Sequence, residues 1–108
     1  MATYEDDTGL GALNDATRRA IVLSLAARPQ AVVELATELP ISRPAVSQHL
    51  KVLKAAGLVT ERAAGNRRIY QVNEAGLAAL RDQLDTFWNR AMAGYRIVVE
   101  QQEESSHE

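Results

Sequence analysis

The sequence contains no cysteine, which removes both a disulfide framework and a thiolate metal site. No stretch comes near the roughly 18 to 20 uncharged apolar residues needed to cross a bilayer, so no membrane partner is expected. The first seven residues carry acids instead of the basic-then-apolar pattern of a secretion signal, and a cytoplasmic location is expected. No polar low-complexity tract, internal repeat or interdomain linker stands out, and 46% of the residues are apolar, enough for a globular domain. At 108 residues the chain can build one modest core. No serine–histidine–aspartate set, phosphate-cradling glycine loop or metal box is present, so an enzyme is a poor reading and nothing asks for a cofactor.

An excess of positive charge is also missing overall, the net charge being −2. Its distribution says more than its sum. Between Ser42 and Val72 six bases (Arg43, Lys51, Lys54, Arg62, Arg67 and Arg68) face one acid, Glu61. The acids gather at the ends, in Glu5, Asp6 and Asp7, and in Glu100, Glu103, Glu104 and Glu108. Because salt screens remote charges beyond about 8 Å, a local basic face governs attraction to phosphates.

Apolar spacing supplies the elements. Leu10, Leu13, Ile21 and Leu25, broadened by Val22, mark a first helix that Pro29 stops. A short helix over about 31–39 presents Val32, Leu35, Ala36 and Leu39 on one side. Pro40, Ile41 and Ser42 form a tight connection, with Ser42 as N-cap and Pro44 in the first turn of the next helix. That helix buries Val46, Leu50 and Leu53, and Gly57 closes it. Segments 59–62 and 68–72 read as strands joined by a five-residue, glycine-containing loop. After Asn73, a candidate cap, one long helix should reach about residue 101. The expected organisation is a flexible arm over 1–9, one domain over 10–101 and a flexible acidic tail over 102–108.

Short helix, three-residue turn, capped helix and basic hairpin is the order of a helix-turn-helix with a wing. On a wheel of about 100° per residue, with Val46 pointing inward, Pro44, Gln48 and Lys51 lie opposite, and Ser47 and Lys54 at the flank. A polar stripe is most often a solvated face. Here it is small, polar and cationic, and it suits a major groove about 12 Å wide. Gln48 can offer a donor and an acceptor to an adenine edge, Arg43 can fork onto guanine or a phosphate, and Ser47 can bond to either base or backbone. Lys51 and Lys54 are point charges suited to phosphates. His49 projects toward the inner side, as a half-buried residue steadying the motif. Arg62, Asn66, Arg67 and Arg68 place charge on a thin β-ribbon that can reach a minor groove, although edge hairpins also use charge against aggregation.

The last helix repeats Leu77, Leu84, Ala91 and Val98 at intervals of seven, interleaved with Leu80, Phe87 and Gly94 and flanked by Trp88 and Tyr95. An a/d seam of about three heptads reads as helix-on-helix association. Such a seam can also pack on its own domain, but core stripes already lie on four other elements, so it is the candidate dimer interface, and two-fold pairing would set two recognition helices about 34 Å apart, one duplex turn.

The stretches 13–21 (LNDATRRAI), 33–36 (VELA), 42–53 (SRPAVSQHLKVL), 56–59 (AGLV) and 65–70 (GNRRIY) resemble the ArsR family of winged-helix repressors over residues 10–88. The resemblance implies a mainly α fold with five helices, a two-stranded wing and a homodimer paired through first and last helices, which adds Leu10 and Leu13 to the candidate dimer interface. It also implies binding to an imperfect palindrome on double-stranded DNA, and repression. In that family the positions of Arg43, Pro44, Ser47 and Gln48 face DNA, and that of His49 is not a primary contact. Metal-sensing members carry a Cys-x-Cys pair on the short second helix, or Asp, His and Glu ligands on the last. Here the matching stretch reads Ala31-Val32-Val33-Glu34 and the last helix, ending near 101, holds no histidine. The expectation is a repressor without a transition metal, with room for an unknown small-molecule effector. Its rival is a winged-helix module that dimerises without reading DNA, as at the N-terminus of some methyltransferases. A basic face argues against that, because the cores of pure interaction surfaces are depleted in charge.

Overall fold

Asn14 and Asp15 interrupt what the apolar spacing presents as one first helix. The computed structural model describes residues 9–107, with side chains through Ser105. It has α1 (Gly9–Ala12), α2 (Ala16–Ala27), α3 (Val32–Glu38), α4 (Arg43–Ala55), β1 (Val59–Ala64), β2 (Arg67–Val72) and α5 (Glu74–His107). The expected five helices are present, and the fifth comes from the split between α1 and α2. Asp15 caps α2, its carboxylate accepting the Arg18 N–H at 3.0 Å. Arg18 and Arg19 reach back to the last carbonyls around α1, donating to Ala12 O and Leu13 O. Short polar side chains that bond their own backbone favour caps over helix interiors, which is why the pattern breaks there.

The chain divides between Ala78 and Ala79 into two compact units. In the first, α2, α3, α4 and the hairpin close around Ile21, Leu25, Leu35, Val46, Leu50, Leu53, Leu58 and Val59, each at most 2% exposed. Val46, Leu50 and Leu53 form the inward stripe of α4, as its spacing predicts. Of the α3 positions expected to face inward, Leu35 alone is fully buried, while Val32, Ala36 and Leu39 are half-buried.

Helix α4 starts on Ser42, whose hydroxyl accepts the Ala45 N–H at 3.3 Å, and carries Pro44 in its first turn. It ends in a Schellman turn. Leu58 N–H donates to Leu53 O and Gly57 N–H to Lys54 O, both at 3.0 Å, with Gly57 at φ +79°. The first turn of α5 docks onto this glycine. Asn73 spends its side chain on Gly57 O at 2.9 Å, while its own carbonyl accepts Leu77 N–H. Gly76 lies so close that a Cβ there would meet Gly57 O at 1.8 Å.

The antiparallel hairpin pairs Val59 with Val72 through Ala64 with Arg67. Its loop is two residues, Gly65 and Asn66, shorter than the five expected. Gly65 at φ +64° supplies the left-handed first position of a tight hairpin turn, so pairing continues to residue 64. A further bridge joins Gln30 to Tyr70 through two backbone hydrogen bonds of 3.0 and 2.8 Å. The Gln30 side chain is fully buried, and its amide donates to Ser24 and Arg28.

The second unit, 79–108, is helical as far as His107. Residues 102–107, expected as a tail, continue α5, because glutamate and glutamine are good helix formers and nothing in Glu100–Glu104 breaks the turn. The extension takes His107 into the last helix, which the sequence pattern had left without a histidine. Of the expected arm at 1–9, Gly9 opens α1 and the rest lies outside the described residues.

Candidate nucleic-acid interface

Since the inward stripe of α4 is fixed by its core packing, the opposite face must meet solvent. Pro44, Ser47, Gln48, Lys51 and Lys54 are exposed and His49 is half-buried, as the wheel requires, and Arg43 is exposed at the first position of the helix. His49 lies near enough to Asp15 to add to the pull on its carboxyl. The main cause of that lowering is the Arg18 backbone N–H held at the cap.

The cations of this face differ in their freedom. Lys54 donates to Glu61 at 2.5 Å, and Arg67 donates to Glu34 at 2.9 Å. Among the described residues no ion pair engages Arg43, Lys51, Arg62 or Arg68. Both acids hold low carboxyl pKa values. For Glu61 the Lys54 ammonium leads and the Tyr70 hydroxyl adds to it, from the residue directly across the hairpin. For Glu34 the Ala31 N–H leads, with Arg67 adding its charge. These pairings link residues 7 and 33 apart in the chain, and periodicity alone carries no sign of them.

Directly paired residues share a face of an antiparallel ribbon. Register therefore puts Arg62 with Ile69 and Arg67 on one face, and Arg68 with Ala63, Glu61 and Tyr70 on the other. The wing arginines expected to act together are split between two faces. Asn66 is exposed at the turn between them.

On α5, Leu84, Phe87, Trp88, Tyr95 and Val98 are between 46% and 65% exposed, and Ala91 is exposed too. Helical geometry gathers these six within an arc of about 100°. Leu80 is buried and Leu77 half-buried. In the first unit Leu10 is exposed and Leu13 half-buried. Leu23, at 72% exposure, is a further bare leucine that the helix pattern did not single out.

No three His, Cys, Asp or Glu side chains come together among the described residues. At the start of α3, Ala31, Val32 and Val33 offer no donor side chain, and Glu34 already holds two N–H groups. Those residues do not fit a transition metal. No helix among the described residues is long and apolar enough to cross a membrane.

The three lowered carboxyls, Asp15, Glu34 and Glu61, bind protons less readily folded than unfolded. The stability they contribute is complete above about pH 5 and fades as pH falls through about 4. Thermal melts from pH 7 to 3 should show that decline, and Glu61→Gln should flatten part of it. An acid limb unchanged by Glu61→Gln would remove Glu61 from the account.

Residues 15–61 match the family described as bacterial regulatory protein, arsR family. The HTH-type transcriptional regulator Rv2034 of Mycobacterium tuberculosis is 59% identical over 101 residues, 93% of this chain and 94% of that protein. The HTH-type transcriptional repressor SmtB of the same species is 45% identical over 69 residues, covering 64% of this chain and 51% of its own length. Among solved structures, an ArsR-like transcriptional regulator from Rhodococcus sp. RHA1 superposes with a TM-score of 0.67 at 33% identity, over 91% of this chain and 96% of that one.

Proposed function

The chain is a member of the ArsR family of bacterial regulatory proteins, and on that premise we propose that it is a homodimeric DNA-binding repressor whose α4 and wing read an imperfect palindrome. The observation that carries this reading is the outward face of α4. There Arg43 and Lys51 have no ion-pair partner among the described residues, and Ser47 and Gln48 stand exposed beside them. Free cations fix the helix on phosphates, and short polar side chains at the same level can inspect base edges. Arg62, Asn66 and Arg68 extend the contact onto the backbone flanking the groove. Dimerisation through the exposed apolar arc of α5 would repeat this surface on two half-sites. Regulation through a transition metal has no support in the donor set of α3, and the reading is of a repressor that does not respond to such metals.

Lys51→Ala is expected to weaken binding to all duplexes alike and to make the salt dependence shallower. Gln48→Ala should relax preference at one or two base positions, by about 1–3 kcal/mol each. Binding-site selection from a random duplex pool with each variant checks both outcomes. Identical selected sites for wild type and Gln48→Ala would take Gln48 out of base reading.

A further inference from the structure

Glu34 is placed where a carboxylate works against phosphate binding. It belongs to α3, yet one of its oxygens, Oε1, accepts both the Ala31 N–H at 2.8 Å and Arg67 Nη2 at 2.9 Å. Arg67 opens β2, directly after the Gly65-Asn66 turn, at the tip of the wing. The contact thus ties the start of the first motif helix to the wing tip, 33 residues along the chain. Both partners remain partly exposed, Arg67 at 52% and Glu34 at 40% of their side-chain area, so the pair lies at the surface.

We propose that Glu34 masks Arg67, so that the wing meets a nucleic-acid backbone with Arg62 and Arg68 active and Arg67 silent. The proposal rests on the reading that this face binds duplex DNA. A guanidinium already bonded to a carboxylate adds little to the field felt by an approaching phosphate. Transferring it to a phosphate would exchange one ion pair for another and leave a carboxylate, still bonded to the Ala31 N–H and near Arg28, beside the polyanion. The Ala31 N–H, one of the otherwise orphaned donors at the start of α3, fixes the Glu34 carboxylate in place, so it cannot swing away from an approaching phosphate. Glu34 is therefore a positioning residue, setting how many phosphates each wing neutralises. Glu61 does the same for Lys54, from a more enclosed site with 18% of its side chain exposed.

Glu34→Gln tests this cleanly, since glutamine keeps an oxygen for the Ala31 N–H and loses the charge that holds Arg67. Affinity for one labelled duplex would be measured from 50 to 200 mM salt for wild type, Glu34→Gln, Arg67→Gln and the double variant. Unmasking should steepen the salt slope of Glu34→Gln by about 0.9 per protomer, an extra loss of about 3.5-fold per protomer across that range. The double variant, which removes both charges, should keep the wild-type slope, whereas Arg67→Gln alone uncovers the Glu34 charge and should be no steeper than wild type. An unchanged slope in Glu34→Gln, or a double variant shallower than wild type, overturns the proposal while duplex binding by the wild type stands. Should the wild type bind no duplex, the DNA-binding reading fails and masking falls with it. If Glu34→Gln does not fold, Glu34→Ala takes its place in the same measurement, with the same steepening expected.

Discussion

Leu84→Glu is expected to leave the chain monomeric and to lower its affinity for a two-half-site duplex by about 10²- to 10⁴-fold, the range lost when two linked contacts become one. Leu84 sits at the centre of the exposed arc of α5, between Phe87 and Ala91 on one side and Trp88 and Tyr95 on the other. Large exposed apolar patches are rare on monomers, and this arc carries three aromatics more than 60% exposed. Moving one such ring from water into an interface is worth about 1.5–3 kcal/mol, so several together can hold two chains. A two-fold interface would bring in two buried glutamates without partners, and the desolvation of each exceeds what any one ring contributes. Sedimentation velocity reads the first effect and a duplex titration the second. An unchanged sedimentation coefficient would remove this arc as the contact between chains.

Gly76→Ala should destabilise the fold by about 2–4 kcal/mol, although helix propensity alone predicts a gain of about 1 kcal/mol. Two effects of opposite sign compete at this position. The added methyl carbon would stand 1.8 Å from Gly57 O, a backbone atom fixed by the Schellman turn and by Asn73 Nδ2. Neither side can yield as a flexible side-chain tip would, so the clash must part the first turn of α5 from the end of α4. Steric exclusion wins. Gly94, in the same helix, has nothing within 4 Å of its would-be Cβ. Gly94→Ala, made in the Leu84→Glu background to keep a second chain out of the comparison, should follow propensity and stabilise. Chemical denaturation of the two variants would give opposite signs, and two equal signs would contradict the close approach at Gly76.

Local chemistry made much of this molecule legible from its residues. Ser42, Pro44 and Gly57 bracket α4, and Val46, Leu50 and Leu53 fix which way it faces, because caps and buried stripes act within a turn or two. The outward placement of Gln48 and Lys51 follows at once. The helix break at Asn14-Asp15 was written in two cap-forming residues but was overridden by the apolar spacing around it. The apolar pattern fades near residue 101 while α5 runs on to His107, because glutamates and glutamines build helix without an apolar stripe. What periodicity could not reach is long-range pairing. Arg67 with Glu34, Lys54 with Glu61, and the Gln30 bridge to Tyr70 depend on how separate elements pack. They divide the six cations of this face into Arg43, Lys51 and Arg62 without an ion pair among the described residues, Arg68 near enough to Glu61 to lower its carboxyl, and Lys54 and Arg67 held in ion pairs.

Binding of the wild-type chain to a labelled duplex, followed by anisotropy as salt is raised from 50 to 200 mM, tests the central idea most directly. Arg43, Lys51, Arg62 and Arg68 from each of two protomers would neutralise eight phosphates. Log affinity should then fall against log salt with a slope on the order of −7. A chain that leaves duplex anisotropy unchanged at the lowest salt would contradict the account.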